Sequence, residues 1–437
     1  MSATDMSPSG SLEMTPLVTI QVPALPRRLS LRSNFAWAVG GNAVYAICQW
    51  GMIVALAKLG SALMVGQFSL GLAIATPVFM LSNLDLRAVQ ATDARRQFRF
   101  AEYLRLRIAL TLAALSVVGA IVWFGGYGRG TAIVILAVAV AKAVETLSDI
   151  HYGLFQLNDR LDQTGRSMIL RGVSSVAALG ISLYLIRDVF WGCMCVALVW
   201  ALTLVLFDVR RGRQLIACTE SPTGCDGSLR SIGLITLALP LGMVTTIASV
   251  NLHMPRYFVH SHMGEHQLGI FSAMAYATVA LTLVGDSLGN SAIPRLSRLY
   301  AAGAMTEYRA LILRLLAIGC AGGLAALGIA QGFGAWLLRF FYSADYAAHS
   351  RAFTLLTAAA ALHFAASMLT SGITSARRFL VQVPLYLLVA ASTAWGCARW
   401  VPLLGLEGAA LGVLCGGAVR LLLAAAVMGR LLLPDSV

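Results

Sequence analysis

Ionisable side chains are rare inside the apolar stretches of this sequence, and each one there must find a partner, water or a task that offsets its desolvation. Lys142, Glu145 and Asp149 stand at i, i+3 and i+7, which puts all three on one face of a helix. They support two readings. In one, Lys142 and Glu145 form an internal ion pair that locks the helix to its neighbours, with Asp149 at an interface. In the other they line a cavity where Lys142 meets an anionic ligand or Glu145 accepts a cation. Arg420 lies about ten residues inside the last apolar stretch, with no acidic neighbour one turn away. Its guanidinium must face protein or water. The planar fork that grips phosphate oxygens bidentately makes it a candidate for an anionic ligand, against pairing with a carboxylate on another helix.

Arg256 follows Met254-Pro255, where proline should end a helix and leave either a cation at the mouth of a path or an arginine snorkelling to an interface. Around it stand His253, His260, His262 and His266. Their spacing carries no metal-ligand signature, so a pH-sensitive gate is the better reading than a metal site. Asp286 and Asn290 are one turn apart, Asn83 stands 203 residues before Asp286, and Asn42 with Gln49 marks a polar stripe further upstream. Neutral hydrogen-bonding groups of this kind suit a path for a polar, uncharged ligand group, and interhelical hydrogen bonds produce the same stripes without a ligand. The stretch Asp93 to Arg107 interleaves Arg with Phe98, Phe100 and Tyr103, and predicts a helix lying on anionic lipid headgroups.

The elements that must position these residues follow from composition. Of 437 residues, 58% are hydrophobic and 12% charged, with 41 Gly and 15 Met, which excludes a water-soluble fold. Runs long enough to cross a bilayer lie near 34–58, 63–85, 107–125, 131–150, 168–186 and 190–208, then 232–254, 268–290, 311–331, 353–373, 379–398 and 407–430. The fold class is therefore all-α integral membrane, with about twelve transmembrane helices in two parallel six-helix lobes. The boundaries divide a disordered cytoplasmic tail (1–33), an N-lobe of six spans (34–208), an inter-lobe linker (209–231), a C-lobe of six spans (232–430) and a short tail (431–437). Twenty-three of the 32 Lys and Arg fall on the side that receives both tails and seven on the other, which places both termini in the cytoplasm.

The net charge of +13 is scattered between apolar runs rather than gathered on a basic arm, so no nucleic acid is expected. Eight cysteines at unpaired spacings predict neither disulfides nor a metal site. No phosphate-binding Gly-Lys-Ser or Gly-Lys-Thr loop, nucleophile motif or soluble domain appears, so neither an ATPase, an enzyme nor a cofactor is expected.

The stretch from Asn34-Phe35-Ala36-Trp37 through Leu59-Gly60, Gly66-Gln67-Phe68-Ser69, Pro77 and Leu86-Arg87-Ala88 resembles the polysaccharide transporter family. Its members are the lipid-linked oligosaccharide flippases of the multidrug/oligosaccharidyl-lipid/polysaccharide (MOP) superfamily. The pattern recurs at Pro240-Leu241-Gly242, Pro255-Arg256, Leu268-Gly269-Ile270-Phe271-Ser272 and Pro294-Arg295-Leu296-Ser297, and includes Tyr152-Gly153-Leu154-Phe155-Gln156. The resemblance implies a two-lobed flippase in a bacterial inner membrane. Its substrate would be an undecaprenyl-diphosphate-linked oligosaccharide, and membrane lipids and polysaccharide assembly proteins would be its partners. A cation-coupled multidrug exporter of the same superfamily shares the expected fold, and a membrane-bound polymerase or glycosyltransferase is the enzyme alternative.

Overall fold

The computed structural model describes residues 31–93, 96–219, 228–376 and 381–432. The first lobe comprises α1 (Leu31–Leu59), α2 (Ala62–Asn83), the short α3 (Leu86–Thr92), α4 (Phe100–Phe124), α5 (Arg129–Leu157), α6 (Leu161–Ile186), α7 (Val189–Thr203) and α8 (Arg210–Thr219). A π-helical segment, Leu204–Val209, joins the last two. The second lobe comprises α9 (Ser228–Ala301), α10 (Met305–Phe341), the one-turn α11 (Ala344–Ala347), α12 (Ser350–Ser375), α13 (Gln382–Leu404) and α14 (Leu406–Leu431). Most of the 1–33 tail, residues 220–227 of the expected linker and most of the last tail lie outside the described residues.

Among the described residues, eleven helices are long and apolar enough to cross a membrane. The 74 residues of α9 would extend about 110 Å, several times the hydrocarbon thickness. Gly264 divides it: with φ +77° and ψ −175° the backbone leaves the helical region at a residue without a Cβ to clash. Each arm is long enough to cross once, which makes twelve candidate crossings, and the expectation that Pro255 ends the seventh span is corrected. The helix runs on through Pro255 and turns at Gly264.

The stretch Asp93 to Arg107 also departs from expectation. It is not one interfacial helix. Asp93 accepts hydrogen bonds from the Gln97 and Phe98 amides at 2.9 and 3.1 Å, closing a turn, and α4 starts at Phe100. Arg107 is fully buried within the lobe instead of lying on headgroups.

Lipid gives no hydrophobic drive for helices to associate, so close approach depends on small residues. A Cβ on Gly41 of α1 would strike the Gly165 backbone of α6, and a Cβ on Gly396 of α13 would strike Gly412 of α14. The two lobes meet by the same device. A Cβ on Gly66 would collide with the Glu265 carbonyl, and one on Gly269 with the Ala62 carbonyl. Ala62 to Glu265 and Gly66 to Gly269 are both shifts of 203 residues, so this crossing is a two-fold contact between repeated segments. Trp50 Nε1 donates to Tyr342 Oη at 2.9 Å and Lys58 lies 5.9 Å from the Phe340 ring, joining α1 to the second lobe on the same side.

The apolar core follows this geometry. One buried cluster runs through the first lobe and across the crossing into Phe271, Leu338, Phe353 and Leu406. The opposite end of the second lobe, towards the Arg-rich connections, has a separate cluster around Leu296, Tyr308, Met368 and Met428. The lobes thus share a core on the side away from the basic loops, and towards those loops the first arm of α9 also packs Leu234 and Ala238 against Leu84, Leu86 and Leu154. Trp123 and Phe124, 83% and 84% exposed at the end of α4, are typical of the outward apolar surface that only lipid can cover.

Candidate substrate cavity

The Lys142, Glu145 and Asp149 face of α5 lines one cavity, but its charges take different partners. Lys142 Nζ lies 2.7 Å from Glu145 Oε2, and Tyr45 of α1 donates to Glu145 Oε1 at 2.9 Å. Asp149 instead accepts from Arg87 at 3.2 Å and Arg107 at 3.4 Å. Arg107 also donates to Asn83. These groups surround a cavity of about 250 Å³ between α2, α3 and α5, closed on one side by Thr245 of α9. Its lining holds Arg87 and Lys142 against Asp85, Glu145 and Asp149, two cations to three carboxylates. That balance suits a self-neutralised latch better than an anion site.

Gln49 lines a pocket of about 30 Å³ inside the first lobe, beside Trp200. Asn42 is exposed and donates to its own helix at Ala38 O, 2.9 Å away. The stripe on α1 therefore does not join the polar residues of the second lobe.

The second lobe holds a larger cavity, about 730 Å³, bounded by both arms of α9 and by α12, α13 and α14. Arg420, Arg256, Asp286 and Asn290 all line it. Arg420 Nη1 lies 2.7 Å from His363 Nδ1, and His363 Nε2 lies 3.3 Å from Asp286 Oδ1. The Arg420 guanidinium stands 5.6 Å from the Tyr386 ring centroid, a cation–π contact, and its Nε is buried without a hydrogen-bond partner. Hydroxyls from Thr278, Thr282, Thr370, Ser371 and Thr393 alternate with Leu252, Phe271, Leu356 and Val389 around the walls. The arrangement offers fixed positive charge, hydroxyl groups and apolar surface together.

Arg256 is not a surface cation. It is 6% exposed, its Nη1 contacts His253 Nδ1, and it stands 5.2 Å from the Tyr276 ring. The histidines do not converge: His253 is buried at Arg256, His260 meets the Tyr127 ring of the first lobe at 6.0 Å, and His262 stacks on Phe258. Among the described residues no group of three potential metal ligands is brought together.

Three residues beyond the sequence-predicted set belong to these networks. His363 and Tyr386 flank Arg420, and the signal for His363 was its own position as an ionisable side chain deep in an apolar run. Arg171 lies ten residues into α6, which carries it into the first lobe. There it is 2% exposed, donates to Tyr152 Oη at 3.2 Å and stacks 4.5 Å from the Trp200 ring.

No protein-family model matches the chain. A capsular polysaccharide biosynthesis protein, CapF of Staphylococcus aureus, is 23% identical over 313 residues, covering 72% of this chain and 78% of that protein. The lipid II flippase MurJ in an inward closed conformation superposes with a TM-score of 0.69 at 12% identity, over 89% of this chain and 86% of that one. An inward-facing multidrug resistance MATE family transporter superposes with a TM-score of 0.66 at 12% identity, over 92% and 100%. A Pyrococcus furiosus MOP superfamily transporter, described as having a binding pocket of reverse polarity, gives 0.62 at 15% identity, over 92% and 94%. At such identities the likeness is one of fold. The chain is an all-α, multi-pass membrane protein with the two-lobed fold of the MOP superfamily transporters and flippases.

Proposed function

We propose that this protein is a flippase that moves an undecaprenyl-diphosphate-linked oligosaccharide across a bacterial inner membrane by alternating access, in the synthesis of a surface or exported polysaccharide. Both termini are cytoplasmic in this reading, following the excess of basic residues on their side. The observation that carries it is the charge of the second-lobe cavity, where Arg420 and Arg256 face a single carboxylate, Asp286. A diphosphate entering a low-dielectric span needs compensating cations, and a guanidinium supplies them without the option of deprotonating. The neighbouring hydroxyls suit sugar hydroxyls, and the polyisoprenyl chain stays in the bilayer.

The fold shared with a lipid II flippase and the sequence likeness to a capsular polysaccharide protein agree with this substrate class. An exporter of cationic drugs would favour an acidic cavity, so the basic surplus argues against it. Deletion should remove surface polysaccharide and leave lipid-linked repeat units in the inner leaflet. Loss of drug resistance with polysaccharide intact would replace this reading by the multidrug one.

A further inference from the structure

Arg420 can only donate hydrogen bonds, so the 2.7 Å contact of its Nη1 with His363 Nδ1 requires a lone pair on that nitrogen. The imidazole is then neutral, with its proton on Nε2, 3.3 Å from the Asp286 carboxylate that accepts it. Three helices thus build a directed chain: Asp286 on α9 fixes the tautomer, His363 on α12 presents the lone pair, and Arg420 on α14 is held by it. Nη2 of the guanidinium, which makes no hydrogen bond among the described residues, is left for a ligand in the cavity.

We propose that His363 is the positioning residue of the anion site, holding Arg420 on the diphosphate, and that protonation of His363 releases the headgroup. This rests on the reading of Arg420 as the headgroup ligand. A proton from water can add only to Nδ1, the atom that Arg420 occupies. The resulting imidazolium has no acceptor for the guanidinium, pairs with Asp286 and pushes Arg420 away. Imidazole is the side chain whose ordinary titration falls between about pH 5 and 8. An acidic exterior would then favour release and a neutral cytoplasm would favour loading.

The charged and titratable groups around His363 are few. The first arm of α9 contributes Arg256 with His253 behind it, the second arm Asp286, α13 Tyr386 and α14 Arg420. Beside His363 the face of α10 against α12 is Gly319, Gly322 and Gly323, its Tyr308 donates to Gly372 O further along α12, and no α10 residue lines the cavity. Among the described residues no second acceptor meets Arg420 Nη1.

The test uses the full chain reconstituted in vesicles, with a fluorescent short-chain polyisoprenyl diphosphate N-acetylglucosamine as probe, a diphosphate diester that does not titrate near neutrality. Wild-type translocation should fall roughly tenfold from about pH 7.5 to 5.5, the scale of losing one charged hydrogen bond. His363→Asn, whose Oδ1 can stand in for the Nδ1 lone pair, should keep most of the activity and lose the pH dependence. His363→Leu should be roughly tenfold slower at every pH. Selective ¹⁵N-histidine spectra of the detergent-solubilised protein should show a neutral Nε2–H imidazole that disappears in His363→Asn and shifts in Arg420→Ala. Translocation that rises in acid would show bare charge to govern binding and would overturn the proposal, as would His363→Asn and His363→Leu being equally impaired at normal membrane levels. Unimpaired Arg420→Ala would instead remove the anion site itself, and with it the flippase reading.

Discussion

Replacing Gly66 with leucine places a side chain where the Glu265 carbonyl of the other lobe now lies, because even a Cβ there collides with it. Neither partner is the end of a flexible side chain, so the backbones must separate by an ångström or more. Overpacking of a tight contact costs about 1–3 kcal/mol. The whole cost falls on the state in which the lobes touch, since the opposite state of an alternating-access carrier must open this crossing. The population ratio should therefore shift roughly 5- to 150-fold towards the separated state. Gly269→Leu acts on the same crossing by the two-fold relation, and the double variant should add little once the contact is open. Spin labels at Leu59 and Phe340, beside the crossing, would report this as a longer distance in electron–electron resonance measurements. Unchanged distances with normal expression would refute the assignment of this crossing as the seal. A shift for Gly66→Leu without one for Gly269→Leu would refute its two-fold character.

Three further outcomes follow from the geometry. Lys142→Ala should impair translocation by leaving Glu145 unpaired, and Lys142→Ala with Glu145→Ala should recover it if the 2.7 Å pair is structural; flipping assays on both variants decide this. Arg171→Met should destabilise the first lobe by about 1–3 kcal/mol, read as a lowered unfolding midpoint in detergent, because it removes one of the two hydrogen-bond partners of buried Tyr152 and the cation on the Trp200 face. Reporter fusions at Ser221 and His262 should report cytoplasm and periplasm respectively, and a shared compartment would overturn the topology.

The helical architecture was legible because spans are set by hydrocarbon thickness, which local composition measures directly. The repeat was visible in Gly66 and Gly269, though the sequence could not say that each glycine sits against the other lobe's backbone. The seventh span was misread at Pro255 because proline often ends helices, and the left-handed backbone at Gly264 is a tertiary property of the α9 turn. Pairings across helices were the least legible. Helical spacing grouped Asp149 with Lys142, whereas Arg87 and Arg107, from other elements, hold the carboxylate. Likewise nothing local tied Arg420 to His363, 57 residues away.

The central claim, a cationic site for a diphosphate headgroup, is tested most directly by Arg420→Ala and Arg420→Lys in reconstituted vesicles, scored as transfer of the lipid-linked sugar probe between leaflets. Losing two charged hydrogen bonds of about 1.5–3 kcal/mol each predicts at least a hundredfold loss for alanine. Lysine should restore part of it, because it keeps the charge but not the fork. Equal transfer by wild type and Arg420→Ala, at equal protein levels, would contradict the account.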